Sequence, residues 1–221
     1  FFHGFFIMSM ALWGTVLGAL FGAYPSNKFG RKKTLSWIGI FFLISALGSA
    51  LAMDPYTFSF FRFIGGLAVG VSSIAAPIYI SEISTSKNRG SLGTLFQLSL
   101  VFGMLIAFFS NYLLTGFQGV SDWRWMLGIE ALPALMYLIL TFFIPDTPRW
   151  QTLFQKNDKA AFRTLRQIYD DDQQAESVLN QIKSADVNSI SNEKLIAKTN
   201  NMIIVLAFLI SFFNQLSGIN F

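Results

Sequence analysis

With 221 residues, 53% of them hydrophobic and only 13% charged, the chain is too apolar for an ordinary soluble domain. It has no cysteine and a single histidine, His3, which excludes disulfides, thiol chemistry, a Cys- or His-built metal centre and a Ser-His-Asp triad. The net charge is +4, and its clustered basic residues point to membrane orientation rather than to nucleic acid.

A membrane-spanning helix needs roughly 20 mostly apolar residues. Six stretches meet that requirement: about 5–24, 35–52, 58–80, 92–114, 125–144 and 202–221. The chain opens on Phe1 inside the first and closes on Phe221 inside the last, so we expect a piece of a longer protein. Nothing at the start has the charged region of a signal peptide.

In the first stretch Gly14, Gly18 and Gly22 recur every fourth residue, and in the third Gly66 and Gly70 do the same beside Gly65. Small residues at this spacing let two helix backbones approach closely. The loop 25–34 carries Lys28, Arg31, Lys32 and Lys33, and the loop 81–91 carries Lys87 and Arg89. On the other side, 53–57 has no basic residue and 111–124 has only Arg124. The positive-inside rule therefore places 25–34, 81–91 and 145–200 in the cytoplasm of a multi-pass protein in the cell (inner) membrane.

Arg62 and Glu130 each lie about one turn inside a span, on the outer side. Intramembrane charges are costly and need a partner or water. Their similar depth and opposite sign make them possible neighbours, either as a proton-loading pair or as a structural ion pair; the other reading is an Arg62 that snorkels outward.

The polar stretch 145–200 holds 8 of the 16 basic and 8 of the 12 acidic residues. Phe162, Leu165, Ile168 and Tyr169 recur at helical spacing, as do Ala175, Val178, Leu179 and Ile182, with Asn157 and Asp172 as N-caps. Two or three short amphipathic helices follow from this pattern.

The last span ends in NQLSGIN, residues 214–220. At 100° per residue Asn214, Gln215, Ser217 and Asn220 share no single face. The segment is then either enclosed by protein or opened near Gly218 against a cavity. Amides suit a neutral polyhydroxy ligand, because each offers donors and an acceptor without fixed charge. Gln97 is a further amide well inside a span. The competing reading is interhelical hydrogen bonding.

Several ordered motifs resemble the sugar porter family of the major facilitator superfamily. They are GALFGAYPSNKFGRKK, RFIGGLAVG (62–70), PIYISEISTSKNRGSLGTLFQLSLVFG (77–103), DWRW (122–125), PDTPRW (145–150) and NQLSGIN. The resemblance implies an all-α integral membrane fold. Residues 1–144 would be helices 2 to 6 of the N-terminal bundle, 145–200 a cytoplasmic helical linker, and 201–221 the start of helix 7. It implies sugar binding by Gln97, Asn214, Gln215 and Asn220, with Leu100 lining the wall. It implies a cytoplasmic gate at Arg31, Glu82, Arg89, Asp146 and Arg149, and proton coupling through Arg62 and Glu130. Asn27 and Lys28 depart from the family's Asp and Arg, Asp146 from its Glu, and Asn214 from the first Gln of its pair.

The expected activity is alternating-access transport of a hexose or pentose, by proton symport. A passive facilitator, an inositol or polyol porter, a non-transporting sugar sensor and an inactive truncated product stay open. The expected partners are a monosaccharide, protons and the lipid bilayer, with no nucleic acid and no cofactor. No nucleophile–base or metal set supports an enzyme.

Overall fold

A computed structural model describes residues 2–85, 87–116, 119–169 and 171–189, together with Met202, Val205, Leu206, Leu209 and Phe213. Ten α-helices run through them: α1 Phe2–Phe21, α2 Ala23–Phe29, α3 Arg31–Leu51, α4 Pro55–Ile83, α5 Arg89–Leu114, α6 Asp122–Gly128, α7 Ala131–Phe143, α8 Pro148–Leu153, α9 Asp158–Ile168 and α10 Asp172–Ser189. The described residues contain no strand. Among the described residues, four helices are long and apolar enough to cross a membrane: α3, α4, α5 and the combined Asp122–Phe143 segment. A shorter apolar run, Ser9–Phe21, lies in α1.

The chain divides into two units, residues 1–182 and 183–221. The second contributes the end of α10 and exposed helical positions such as Met202 and Val205.

Within the first unit, α1 and α4 are the most intimately packed helices. A methyl group on Gly14, Gly66 or Gly70 would overlap a backbone carbonyl of the facing helix: that of Phe63, Ala11 or Thr15 respectively. On Gly18 it would sit 2.5 Å from the Leu67 carbonyl oxygen. The glycine spacing thus produces backbone-to-backbone contact, stabilised by dispersion rather than by side-chain burial. Beside this seam, Leu35 and Ile38 of α3 and Ala68 and Ala75 of α4 form a buried core, joined by Phe42, Val71 and Tyr137.

Three local features differ from the hydropathy reading. The segment 25–34 is not a loop: α2 and the start of α3 cover it, separated by Gly30 at φ +92°. That left-handed backbone is one that glycine adopts without steric cost.

The span read as 125–144 begins at Asp122 and is interrupted at Ile129–Glu130. Pro133 accounts for the interruption. It has no N–H, and its ring displaces the carbonyl four residues back, that of Ile129. The Ile129 carbonyl instead accepts from Leu132 N at 3.1 Å, and Glu130 N donates to Leu127 O at 3.3 Å, both three-residue bonds.

The third difference is a cap. Asn157 caps α9 through its side chain, which accepts from Ala160 N at 3.1 Å. Asp172 does not cap α10. Asp171 does, accepting from Gln173 N at 3.0 Å, while Asp172 is already the first helical residue.

The amphipathic stripes of α9 and α10 face each other. Ala161, Leu165, Ala175 and Leu179 are buried together, with Phe162, Tyr169 and Val178 packed against them. The Arg166–Asp172 ion pair at 2.6 Å is largely exposed and adds little.

Candidate transport site and charged cluster

Three groups of side chains are candidates for function. The first is at the Arg31 end of the bundle. Gly30 lets α3 begin in a tight corner, which buries the Arg31 side chain against α4. Arg31 Nη2 donates to Glu82 Oε1 at 3.0 Å, and both side chains are under a tenth exposed. Arg31 Nη1 donates to the Ser26 carbonyl at 3.2 Å, tying α2 into the same corner. A buried ion pair requires such extra hydrogen bonds to offset desolvation. Arg31 Nε and Glu82 Oε2 are also buried and have no hydrogen-bond partner among the described residues.

Asp146 joins this cluster through backbone rather than through a cation. Its Oδ1 accepts from Lys32 N at 3.1 Å, at the open N-terminus of α3, where a carboxylate is favoured. Lys32 Nζ reaches the Phe142 carbonyl at 2.9 Å, at the C-terminal end of α7. The Tyr79 hydroxyl donates to the Pro145 carbonyl at 3.1 Å. Arg89 and Arg149 are exposed, and neither forms an ion pair among the described residues.

The sequence reading singled out the charged residues here and missed an aromatic one. Trp150 is buried, its indole N–H donates to the Asn27 carbonyl at 2.8 Å, and its ring covers Gly30. The Trp of PDTPRW was the available signal, although nothing in the sequence named its partner.

The second group lies at the Asp54 end. Arg62 and Glu130 line one cavity of about 430 Å³, together with Thr15, Ser45 and Tyr137. The two charges do not form an ion pair within 4 Å among the described residues. They face a shared space that water or a further polar group can occupy.

The third group is the amides. Gln97 and Leu100 are three residues apart on α5, on one exposed face; no residue of α5 is buried. Asn214, Gln215 and Asn220 lie outside the described residues.

An all-helical bundle of apolar spans, with glycine-mediated helix contacts and charges held between spans, defines a multi-pass membrane protein. Residues 4–221 match the family model described as sugar (and other) transporter, and the chain belongs to that family.

Among curated proteins, the chain is 35% identical over 216 residues to the galactose-proton symporter of Escherichia coli K12, covering 97% of this chain and 46% of the relative. It is 41% identical over 165 residues to a glucose transport protein of Synechocystis, covering 70% of this chain and 35% of the relative. Among solved structures, the partially occluded inward-open conformation of the xylose transporter XylE from E. coli superposes with a TM-score of 0.85. The identity is 29%, covering 97% of this chain and 53% of that chain. The chain thus spans about half the length of the relatives it matches, and its fold is that of the major facilitator transporters.

Proposed function

We propose that the whole protein is a secondary active transporter that carries a hexose or pentose across the cell membrane by alternating access, coupled to protons. The observation that carries the coupling is the shared cavity of Arg62 and Glu130. A carboxylate between spans is expensive to keep unless it is used, and one facing a cavity rather than locked in an ion pair is free to exchange a proton. The relatives named above as a galactose-proton symporter and a xylose transporter support the same reading.

In this reading residues 1–144 are helices 2 to 6 of the first bundle, 145–200 is a cytoplasmic linker, and 201–221 begins the seventh helix. Gln97, Asn214, Gln215 and Asn220 bind sugar hydroxyls, and Leu100 lines the wall. Amide donors and acceptors recognise a neutral polyol without a fixed charge. Arg31, Glu82, Arg89, Asp146 and Arg149 act as a cytoplasmic gate whose ion pairs form in one state and hydrate in the other. The corner built from Arg31, Glu82 and Asp146 supplies one arrangement of such a device.

The test is uptake of labelled hexoses and pentoses by cells expressing the whole protein. Uptake against a gradient, with alkalinisation of the medium and loss on collapsing the proton gradient, is the expected result. Uptake indifferent to that collapse identifies a passive facilitator instead. Glu130→Gln is expected to abolish accumulation while keeping sugar counterflow.

A further inference from the structure

Four side chains form a continuous stack at the Asp54 end of the bundle. The Arg62 guanidinium lies 5.9 Å from the centroid of the Phe58 ring. Phe58 meets Trp123 edge to face, at 5.9 Å and 81°. The Arg124 guanidinium covers the other ring of the stack, 4.7 Å from Trp123, and its Nη1 donates to the Ala50 carbonyl at 3.1 Å. Phe58 precedes Arg62 by four residues and shares its face of α4. Trp123 belongs to the same span as Glu130. Ala50 sits in the last turn of α3, where a cation is favoured by the helix dipole. The stack therefore ties three spans together, two of which carry the charges that line the common cavity.

Among the described residues Arg62 makes no salt bridge within 4 Å and no hydrogen bond; its guanidinium lies over the face of Phe58 and shares the cavity with the Glu130 carboxyl. A guanidinium on a six-atom ring face is held in direction as well as distance, and the edge-to-face contact with Trp123 fixes that ring in turn. We propose that Phe58 and Trp123 are positioning residues for proton coupling: they hold Arg62 in register with Glu130 across the cavity, without touching sugar. The proposal rests on the proton-symport reading given above.

The test uses the whole protein in proteoliposomes, with sugar accumulation under an imposed proton gradient and sugar counterflow measured side by side. Trp123→Leu keeps an apolar side chain but removes the ring, and it should lower the accumulation ratio about three- to ten-fold while counterflow stays within about two-fold of wild type. Trp123→Phe, which keeps an aromatic face, should restore most of the accumulation. Phe58→Leu should repeat the Trp123→Leu result, and it serves if Trp123→Leu does not fold.

Accumulation by both leucine variants equal to wild type overturns the positioning role alone. A parallel loss of accumulation and counterflow in every folded variant also overturns it, because it marks a general packing defect. A wild-type protein that shows counterflow but never accumulates overturns the symport reading, and the positioning role falls with it.

Discussion

Arg31 and Glu82, 51 positions apart in the chain, form an ion pair of 3.0 Å whose side chains are each less than a tenth exposed. The pair closes the corner where α3 begins against the end of α4. Removing one partner leaves the other charge buried, so Glu82→Ala should destabilise the protein by about 3–5 kcal/mol. Glu82→Gln should cost less, since an amide still accepts the Arg31 hydrogen bond. Thermal unfolding of the purified protein in detergent checks both; equal effects of the two substitutions would contradict a charge-based cost.

The glycine seam gives a second expectation. At Gly66 any side chain meets the Ala11 carbonyl, so even Gly66→Ala must push α1 and α4 apart, at about 1–3 kcal/mol. Gly128→Ala is the matched control. Its added methyl would meet only the Ala50 Cβ, at an ordinary 3.5 Å. A Gly66→Ala protein that melts with Gly128→Ala and wild type would rule out backbone contact at the seam.

Trp150 contributes both a hydrogen bond and bulk. Trp150→Phe removes the bond to the Asn27 carbonyl and should cost about 1 kcal/mol. Trp150→Ala also empties the space over Gly30 and should cost about 3–5 kcal/mol. Limited proteolysis in the α8–α9 region, compared between the two variants, reads out the loosening.

Asp54 gives a pH expectation. Its carboxylate caps α4, accepting from Thr57 Oγ1, Thr57 N at 3.0 Å and Tyr56 N at 3.1 Å. These bonds, that to the Thr57 hydroxyl first, hold its pKa below the ordinary 3.8. The folded value is depressed, so the cap's contribution is complete above the unfolded pKa and is lost as pH falls through the folded one. Wild type should therefore lose its advantage over Asp54→Ala only on acidification below about pH 4. Melting curves of the two proteins between pH 3 and pH 7 (on the order of one-unit steps) measure this, and a gap independent of pH would contradict it.

Four of the six spans read by hydropathy, α3, α4, α5 and Asp122–Phe143, were legible because about 20 apolar residues in a row admit few other structures. Their ends were less so. Hydropathy ends where charge begins, but α3 starts at Arg31 and α4 runs from Pro55 to Ile83, since polar caps extend a helix beyond its apolar part. The break at Ile129–Glu130 was written in Pro133, yet mean hydropathy carries no trace of a missing N–H.

The shared cavity of Arg62 and Glu130 agrees with their similar depth, a one-dimensional property that sequence does carry. Contacts such as Trp150 to Asn27, 123 positions apart, depend on how the α2–α3 corner folds back, and no local pattern encodes that. For Gln97, the face it shares with Leu100 followed from helical spacing, whereas what either residue meets depends on elements beyond α5.

The seam between α1 and α4 has a mechanical consequence. Carbonyl groups of each helix nest in the notches left by the glycines of the other, like the teeth of two meshed racks. Neither helix slides past its neighbour without first lifting clear. The pair therefore behaves as a stator, and whatever rocking the molecule performs has to be taken up at other joints.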